Sequence, residues 1–319
     1  MKVLITGGTG YIGSRLAYRL SQSYDVVCLT RTNKRVGDLP TVHGDILDPK
    51  KLKSVLKSID MVIHCAGALG HWQNTNDFIY KVNVTGTENI VQESILSSVQ
   101  YFIHVSTCGV TGPLGPQPVN ENHPCEPSNE YQRTKLLGEK KALALAKPAQ
   151  FPLSVIRPTF VMGHGDPHKL NLFKMIKKRI FFYIGNGEST LHPVDIEDLL
   201  DAFELMMKNK PLNETYIIGG QRPLSMHHIA EAIARECKVS PPKIHIPISI
   251  AKNAAILSEY FSKAFKKSPI LTVSRVMMMS RHWGYDISKS VKELGYNPQK
   301  SFTETVHQAS KYYHDHGFL

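Results

Sequence analysis

A run of glycines directly behind the first apolar strand constrains this chain more than any other feature. Lys2–Thr6 reads as a strand and passes straight into Thr6-Gly7-Gly8-Thr9-Gly10-Tyr11-Ile12-Gly13. Gly7, Gly10 and Gly13 lie three apart, which gives a tight turn its backbone freedom and lets an anion come close. A helix starting near Tyr11 then aims its unpaired N–H groups at that anion. With Thr9 and Ile12 in the same turn, the segment is a candidate pyrophosphate cradle.

The strand and helix around this turn are the first beats of a longer alternation. Apolar, β-branched runs at Asp25–Thr30, Met61–Cys65, Tyr101–Thr107 and Leu153–Arg157 are each followed by amphipathic sequence. The pattern predicts an α/β chain, a Rossmann doubly wound parallel sheet with helices on both faces and ligands at its carboxyl edge. Regularity weakens after Pro158. A helix over Val194–Met207 and a strand over Glu214–Gly220 are expected to return to the sheet. Residues 1–159, with 191–221 returning to them, are therefore read as the dinucleotide-binding domain. Residues 160–190 and 222–319 form a smaller C-terminal substrate-binding lobe.

In such folds a carboxylate at the end of the second strand binds an adenosine ribose hydroxyl and repels a 2′-phosphate. Thr30 and Arg31 stand there, with Lys34 and Arg35 close behind. A charge-assisted pair with Arg31 favours NADP over NAD, while a solvated basic loop is the plainer reading. Asp45 and Ile46 follow a short strand-like stretch and can meet the adenine. Asp45 is equally suited to cap a helix, although Asp48 before Pro49 serves that purpose too. Cys65, Ala66 and Gly67 end the next strand with small side chains beside the cofactor.

Tyr131 and Lys135 share one face of a helical stretch. A lysine near a phenol lowers its pKa and lets it exchange a proton with a substrate oxygen while hydride moves at carbon. Thr107 at the end of the fourth long strand can donate a hydrogen bond to that oxygen. Thr107, Tyr131 and Lys135 are thus the candidate catalytic set. Their presence argues against a catalytically silent dinucleotide sensor.

These segments, with GDILD after Val42, NVTGTENIV at 83–91, VSTCGVTG at 105–112 and IRPTFVMG at 156–163, resemble the extended short-chain dehydrogenase/reductase family, the NAD-dependent epimerase/dehydratase superfamily. The resemblance implies a Ser/Thr-Tyr-Lys triad at Thr107, Tyr131 and Lys135. It also implies cofactor contacts at Ala66, Asn83, Pro158 and Thr159, with Tyr131 and Lys135 near the nicotinamide ribose, and a homodimer formed through two helices. Asn83, read without it, simply caps or bridges backbone. Threonine replaces the commoner serine at 107 and keeps the hydroxyl. Met162 stands where a tyrosine is usual.

The substrate is less legible. Epimerases and dehydratases of the family carry an arginine just after the glycine pair that Gly185-Asn186-Gly187 represents here, and this chain has none. The tail 271–298 looks like the 3β-hydroxysteroid dehydrogenase and dihydroflavonol reductase branch, which handles apolar alcohols and ketones. Arg275 keeps the nucleotide-sugar alternative open, as a possible late phosphate ligand. His164, His192, Trp72, Trp283 and Met277–Met279 border the expected cleft, either as pocket walls or as packing residues, and no catalytic role is assigned to them.

Leu257, Phe261 and Phe265 recur at four-residue spacing beside Lys263, Lys266 and Lys267. A core-facing helix with a solvated basic side is one reading; a basic amphipathic helix at a membrane is the other. The formal net charge of +11 favours anionic ligands, and no motif points to nucleic acid. Five scattered cysteines without metal spacing fit a reducing cytoplasm and no metal site. With no apolar run of spanning length and a strand beginning at Lys2, a cytoplasmic protein acting on a small-molecule substrate is expected.

Overall fold

The computed structural model describes residues 1–32, 34–70, 74–265, 268–269 and 271–319, with nothing described of the side chains at 263 and 264. Trp72, Lys266, Lys267 and the Lys263 side chain, singled out above, lie outside the described residues.

The first half runs β1 (Lys2–Thr6), α1 (Tyr11–Leu20), β2 (Asp25–Thr30), β3 (Thr41–His43), α2 (Pro49–Leu56), β4 (Met61–His64), α3 (Asn76–Tyr80), a π-helical turn at Lys81–Thr85, α4 (Gly86–Leu96), β5 (Tyr101–Val105), a short 3-10 turn at Cys108–Thr111, α5 (Glu130–Ala146) and β6 (Leu153–Pro158). The second half runs β7 (Phe160–Met162), α6 (Leu170–Lys177), β8 (Tyr183–Ile184), β9 (Thr190–Leu191), β10 (Pro193–Asp195), α7 (Ile196–Asn209), β11 (Thr215–Ile218), β12 (Leu224–Ser225), α8 (Met226–Glu236), β13 (His245–Ile246), α9 (Ile248–Phe265), α10 (Val273–Ser280), α11 (Ser288–Leu294) and α12 (Phe302–Asp315).

Seven strands form one sheet in the order β3-β2-β1-β4-β5-β6-β11, every neighbouring pair parallel. Order reverses between β1 and β4, so a crevice opens at their carboxyl ends. Alternation decides which face each residue serves. Val3, Ile5, Met61, Ile63, Tyr101 and Ile103 join a core with α1 and α7, whereas Leu4, Val62 and Phe102 join one with α2, α4 and α5. Both faces are covered, which is why these strands are apolar throughout.

Helix starts follow their caps. Asp48 accepts the Lys51 N–H ahead of Pro49, and Asn129 accepts the Gln132 N–H at the start of α5. Asp195 accepts the Glu197 N–H, so the helix expected from Val194 begins at Ile196, and Val194 lies in β10. β10 does not enter the large sheet; it pairs with β7, and only β11 becomes an edge strand, beside β6.

The remaining strands pair in twos, and a further apolar cluster gathers Phe173, Ile176, Tyr183, Ile229, Trp283 and Tyr313. The tail does not lie wholly with that cluster. Leu294 and Tyr296, at and just after α11, pack into the sheet's α1/α7 core, and the Tyr296 hydroxyl donates to Gly219 O.

α9 differs from its expected packing. Its inner face is made of Ala251, Ala255 and Ser262, small enough for close approach to α10. Leu257, Phe261 and Phe265 are 58%, 53% and 69% exposed, so the reading in which they face the core is wrong. Apolar spacing alone cannot tell an inner from an outer stripe when alanines can line the seam.

Candidate active site

The parallel sheet brings the ends of β1 to β6 to a single edge, and the sequence-selected residues collect along it. Gly7, Thr9 and Gly10 form the turn after β1, with Tyr11, Ile12 and Gly13 opening α1. Gly7 has φ +71, and a Cβ there would lie 2.6 Å from Ala66 N; a Cβ on Gly13 would lie 2.3 Å from Gly7 O. The first glycine lets the turn lie against the strand beside it, and the third lets the helix close on the turn. No side chain caps α1 at Gly10, so its first N–H groups stay open towards the crevice.

Ala66 is fixed by a relay of hydrogen bonds beneath it. Ala66 N–H donates to Thr6 Oγ1, which lies 2.7 Å from His64 Nδ1; His64 Nε2 lies 3.1 Å from Thr87 Oγ1, which donates to Asn83 O. The one hydroxyl proton of Thr87 is thereby used, so His64 donates from Nε2 and accepts at Nδ1. Burial, reinforced by nearby Lys135, pushes its pKa down to about 3, and the ring is neutral. Asn83 lies in the π-helical turn, buried. It accepts the Ala68 N–H at 2.7 Å and donates to Ala68 O and Thr134 Oγ1, both at 3.0 Å. Both amide protons are used in this bridge, so a ligand can meet Asn83 only at Oδ1.

Along the adenine end of the edge, Arg31 is exposed just beyond β2 with its guanidinium 5.6 Å from the Phe78 ring centre. Thr30 before it is buried, and its carbonyl accepts the Gly44 N–H, which brings the Asp45–Ile46 loop alongside. The Asp45 carboxylate accepts the Leu47 N–H, and Asp48 caps α2. Ile46 is buried against Gly86.

At the other end, Thr107 follows β5 and accepts the Gly109 N–H on Oγ1. Its own proton is left for donation. Burial pushes the Tyr131 phenol up to about 12, and the nearby Thr107 hydroxyl pulls the other way. Lys135 is buried with Nζ 2.6 Å from Val105 O, and burial brings it down to about 8 while Cys65 and Glu139 act against the shift. The expected lowering of the phenol by the lysine is absent here. Among the described residues the ammonium is bonded to the strand carbonyl, and desolvation governs Tyr131.

Two hydroxyls at this edge, Ser106 Oγ and Thr159 Oγ1, are buried without a partner among the described residues. Unsatisfied polar groups beside an open helix N-terminus and a glycine cradle fit a ligand rich in hydroxyl and phosphate oxygens, as a dinucleotide is. Pro158 ends β6 directly before Thr159.

α5 is pinned to the sheet a turn beyond Lys135. Arg157 on β6 donates from Nε to Glu139 at 3.0 Å, and a second nitrogen reaches the same carboxylate, both side chains being buried. Sequence reasoning missed this pair, the Phe78 ring beneath Arg31 and the His64 relay. Only the Asn129 cap three residues before Gln132 carried a local signal.

The histidines set aside as structural are held by the scaffold. His192 Nε2 bonds Gly220 O, and His164 Nε2 lies 2.7 Å from Arg15 Nη1. Trp283 is buried, Met278 and Met279 pack against the second cluster, and Arg275 lies on the exposed side of α10. No helix among the described residues is long and apolar enough to cross a membrane.

Known proteins are similar to this chain over nearly its whole length. UDP-glucose 4-epimerase of Vibrio cholerae is 27% identical over 325 residues, spanning 97% of this chain and 94% of its own. The decarboxylating sterol-4-alpha-carboxylate 3-dehydrogenase of Mus musculus is 25% identical over 333 residues, with 98% and 91% covered. UDP-glucuronic acid 4-epimerase from Bacillus cereus, solved in complex with NAD, superposes with a TM-score of 0.78 at 23% identity, covering 99% of each chain. The sequence profile of the NAD dependent epimerase/dehydratase family matches residues 3–219. The chain belongs to that family and is an enzyme of the extended short-chain dehydrogenase/reductase type.

Proposed function

We propose that this protein interconverts a secondary alcohol and a ketone on an apolar substrate, with NADP preferred over NAD. The observation that carries the reading is the convergence at the sheet edge of the Thr107 hydroxyl, oriented by the Gly109 N–H, with the Tyr131 phenol, one helical turn from buried Lys135. When bound, the dinucleotide accepts or supplies hydride at its nicotinamide. Thr107, oriented by the Gly109 N–H, donates to the substrate oxygen and polarises it. Tyr131 passes its proton to that oxygen as the carbon becomes an alcohol, and takes one back in the reverse direction. A phenol that titrates near 12 is fully protonated at neutral pH, which suits it to ketone reduction. Lys135, largely protonated at neutral pH, would hold the ribose hydroxyls of the bound nucleotide.

The turn after β1 and the open start of α1 receive the pyrophosphate. Arg31, stacked on Phe78 and free of a neighbouring carboxylate at the end of β2, supports a 2′-phosphate. The kinship with a sterol dehydrogenase supports the apolar substrate. A second reading, a nucleotide-sugar epimerase with tightly held NAD, is supported by the equally full-length epimerase kinship.

Identifying the nucleotide that co-purifies, then following NADPH absorbance with steroid, β-keto acyl, flavonoid and nucleotide-sugar substrates, separates the two. The proposal expects NADPH consumption on an apolar ketone. NAD retained through purification, with a sugar epimerised and no net consumption, overturns it.

A further inference from the structure

Among the described residues, the most exposed run of large apolar side chains is on α9. Ile250, Leu257, Phe261 and Phe265 follow one another at seven and four residues along one stripe, with Tyr260 beside it, all more than half exposed. The helix is held from its other side by Ala251 and Ala255 against Val276 of α10. The stripe is therefore a second apolar face, additional to the one that folds the protein.

Charge around it is one-sided. From 238 to 281 the sequence holds eight Lys and Arg against one carboxylate, Glu259, in a chain whose net charge is +11. That carboxylate is turned inward, where its Oε1 accepts the Val273 N–H at 3.0 Å and helps start α10. Ser258 does the same for Leu271 N. The stripe that α9 shows outward is thus apolar and aromatic; Lys252 is exposed as well, but nine residues before Phe261 it lies across the helix from the stripe. α10 in turn reaches the active-site helix: Ser274 Oγ accepts from Asn129 Nδ2 at 3.1 Å, and Asn129 is the N-cap two residues before Tyr131. α10, against which α9 packs, thus borders the start of the helix that carries Tyr131.

We propose that α9 docks this protein on an anionic lipid bilayer, with Leu257, Phe261 and Phe265 entering the headgroup boundary and the net positive charge of the chain drawing it to negative lipid. Aromatic and aliphatic residues on one face within a basic setting satisfy both contributions to interfacial binding, buried apolar area and attraction to negative lipid. A second copy of the chain is a poorer occupant. A twofold pairing of this face would bring two strongly basic segments together, each with its one carboxylate already engaged. The docking stands independently of the redox chemistry.

The test is flotation of the full chain with phosphatidylcholine vesicles that contain or lack phosphatidylglycerol, with light scattering on the same samples. The proposal expects flotation only with phosphatidylglycerol, reversed by high salt. Leu257→Ser/Phe261→Ser/Phe265→Ser weakens it by at least about tenfold, with the melting temperature unchanged. Should the triple variant fold poorly, Phe261→Ser alone, at a side chain that is 53% exposed, is expected to weaken flotation. Absence of flotation on phosphatidylglycerol overturns the proposal. So does flotation that both variants leave intact, and so does a triple variant that loses a dimer while the parent never floats, which would assign the stripe to a second copy.

Discussion

Around β1 and β4, polar side chains end on backbone groups of neighbouring elements. Thr6 and His64 fix Ala66, Asn83 clamps Ala68, Lys135 bonds Val105 and Thr107 receives Gly109. Along α9 the disposition is reversed: the large side chains point to solvent and alanines make the packing. The first region is held firmly, because each of these side chains is positioned by a group it cannot leave without exposing a buried donor or acceptor. The second is held by a seam of small residues and by Ser258 and Glu259, which accept the Leu271 and Val273 N–H groups, and its outer face is open to solvent. Chemistry needing sub-ångström placement belongs to the first region, and contact with a yielding surface belongs to the second.

The sharpest way to break that contrast is to remove a reacting group without disturbing the scaffold. Tyr131→Phe is expected to lower kcat by about 10²–10⁴ while nucleotide binding, measured by fluorescence titration, is retained. The pH dependence carries the same information. A phenol raised to about 12 stays protonated at neutral pH, so alcohol oxidation by the wild type, which needs the phenolate, rises with pH. Ketone reduction falls only as the phenol deprotonates. A Tyr131→Phe protein with unchanged turnover or an unchanged oxidation profile removes Tyr131 from the mechanism.

Next in size is the bond that ties α5, the helix that carries Tyr131 and Lys135, to the sheet. Breaking the buried Arg157–Glu139 pair with Glu139→Leu leaves a guanidinium in the interior and is expected to cost about 3–5 kcal/mol in denaturant unfolding. Adding Arg157→Met should recover most of that, since two apolar side chains need no partners. An exposed pair on the same helix, Arg133 with Glu130, gives the reference, expected below about 1 kcal/mol. Equal costs for the two pairs would mean that α5 is not anchored where the geometry places its anchor.

How far the sequence disclosed each region follows from the range of the interactions. The glycine turn, the Thr107, Tyr131 and Lys135 positions and the parallel order were readable because each depends on a few adjacent residues or on strand ends that a parallel sheet must align. The Asn83 clamp on Ala68 joins residues fifteen apart through a π-helical turn that no periodicity announces. Phe78 meets Arg31 from a different helix. The core-facing reading of α9 fails for the opposite reason: the pattern is strong, but the stripe that carries it faces outward, and the seam is built from Ala251 and Ala255, which hydrophobic spacing undervalues.

A smaller effect is expected at the cofactor's far end. Arg31 is exposed, so its pairing with a 2′-phosphate is screened by solvent. Arg31→Ala should weaken NADPH by about tenfold and leave NADH unchanged. Titration of both nucleotides with the same protein tests this, and unchanged NADPH affinity removes the preference for the phosphorylated cofactor.

The smallest effect is the most discriminating between the two regions. Phe261 is 53% exposed and Phe102 is fully buried, although both are phenylalanines with the same area to bury. Phe102→Ala creates a cavity between β5 and the α5 side of the sheet and is expected to cost about 3–5 kcal/mol. Phe261→Ser removes nothing from a core and should change stability by no more than about 0.5 kcal/mol. Chemical denaturation of the two variants gives both numbers in one experiment. If Phe261→Ser instead cost as much as a core deletion, α9 would be packed inward in solution and its outer face would not be available to a bilayer; a near-zero cost leaves that face without a folding role.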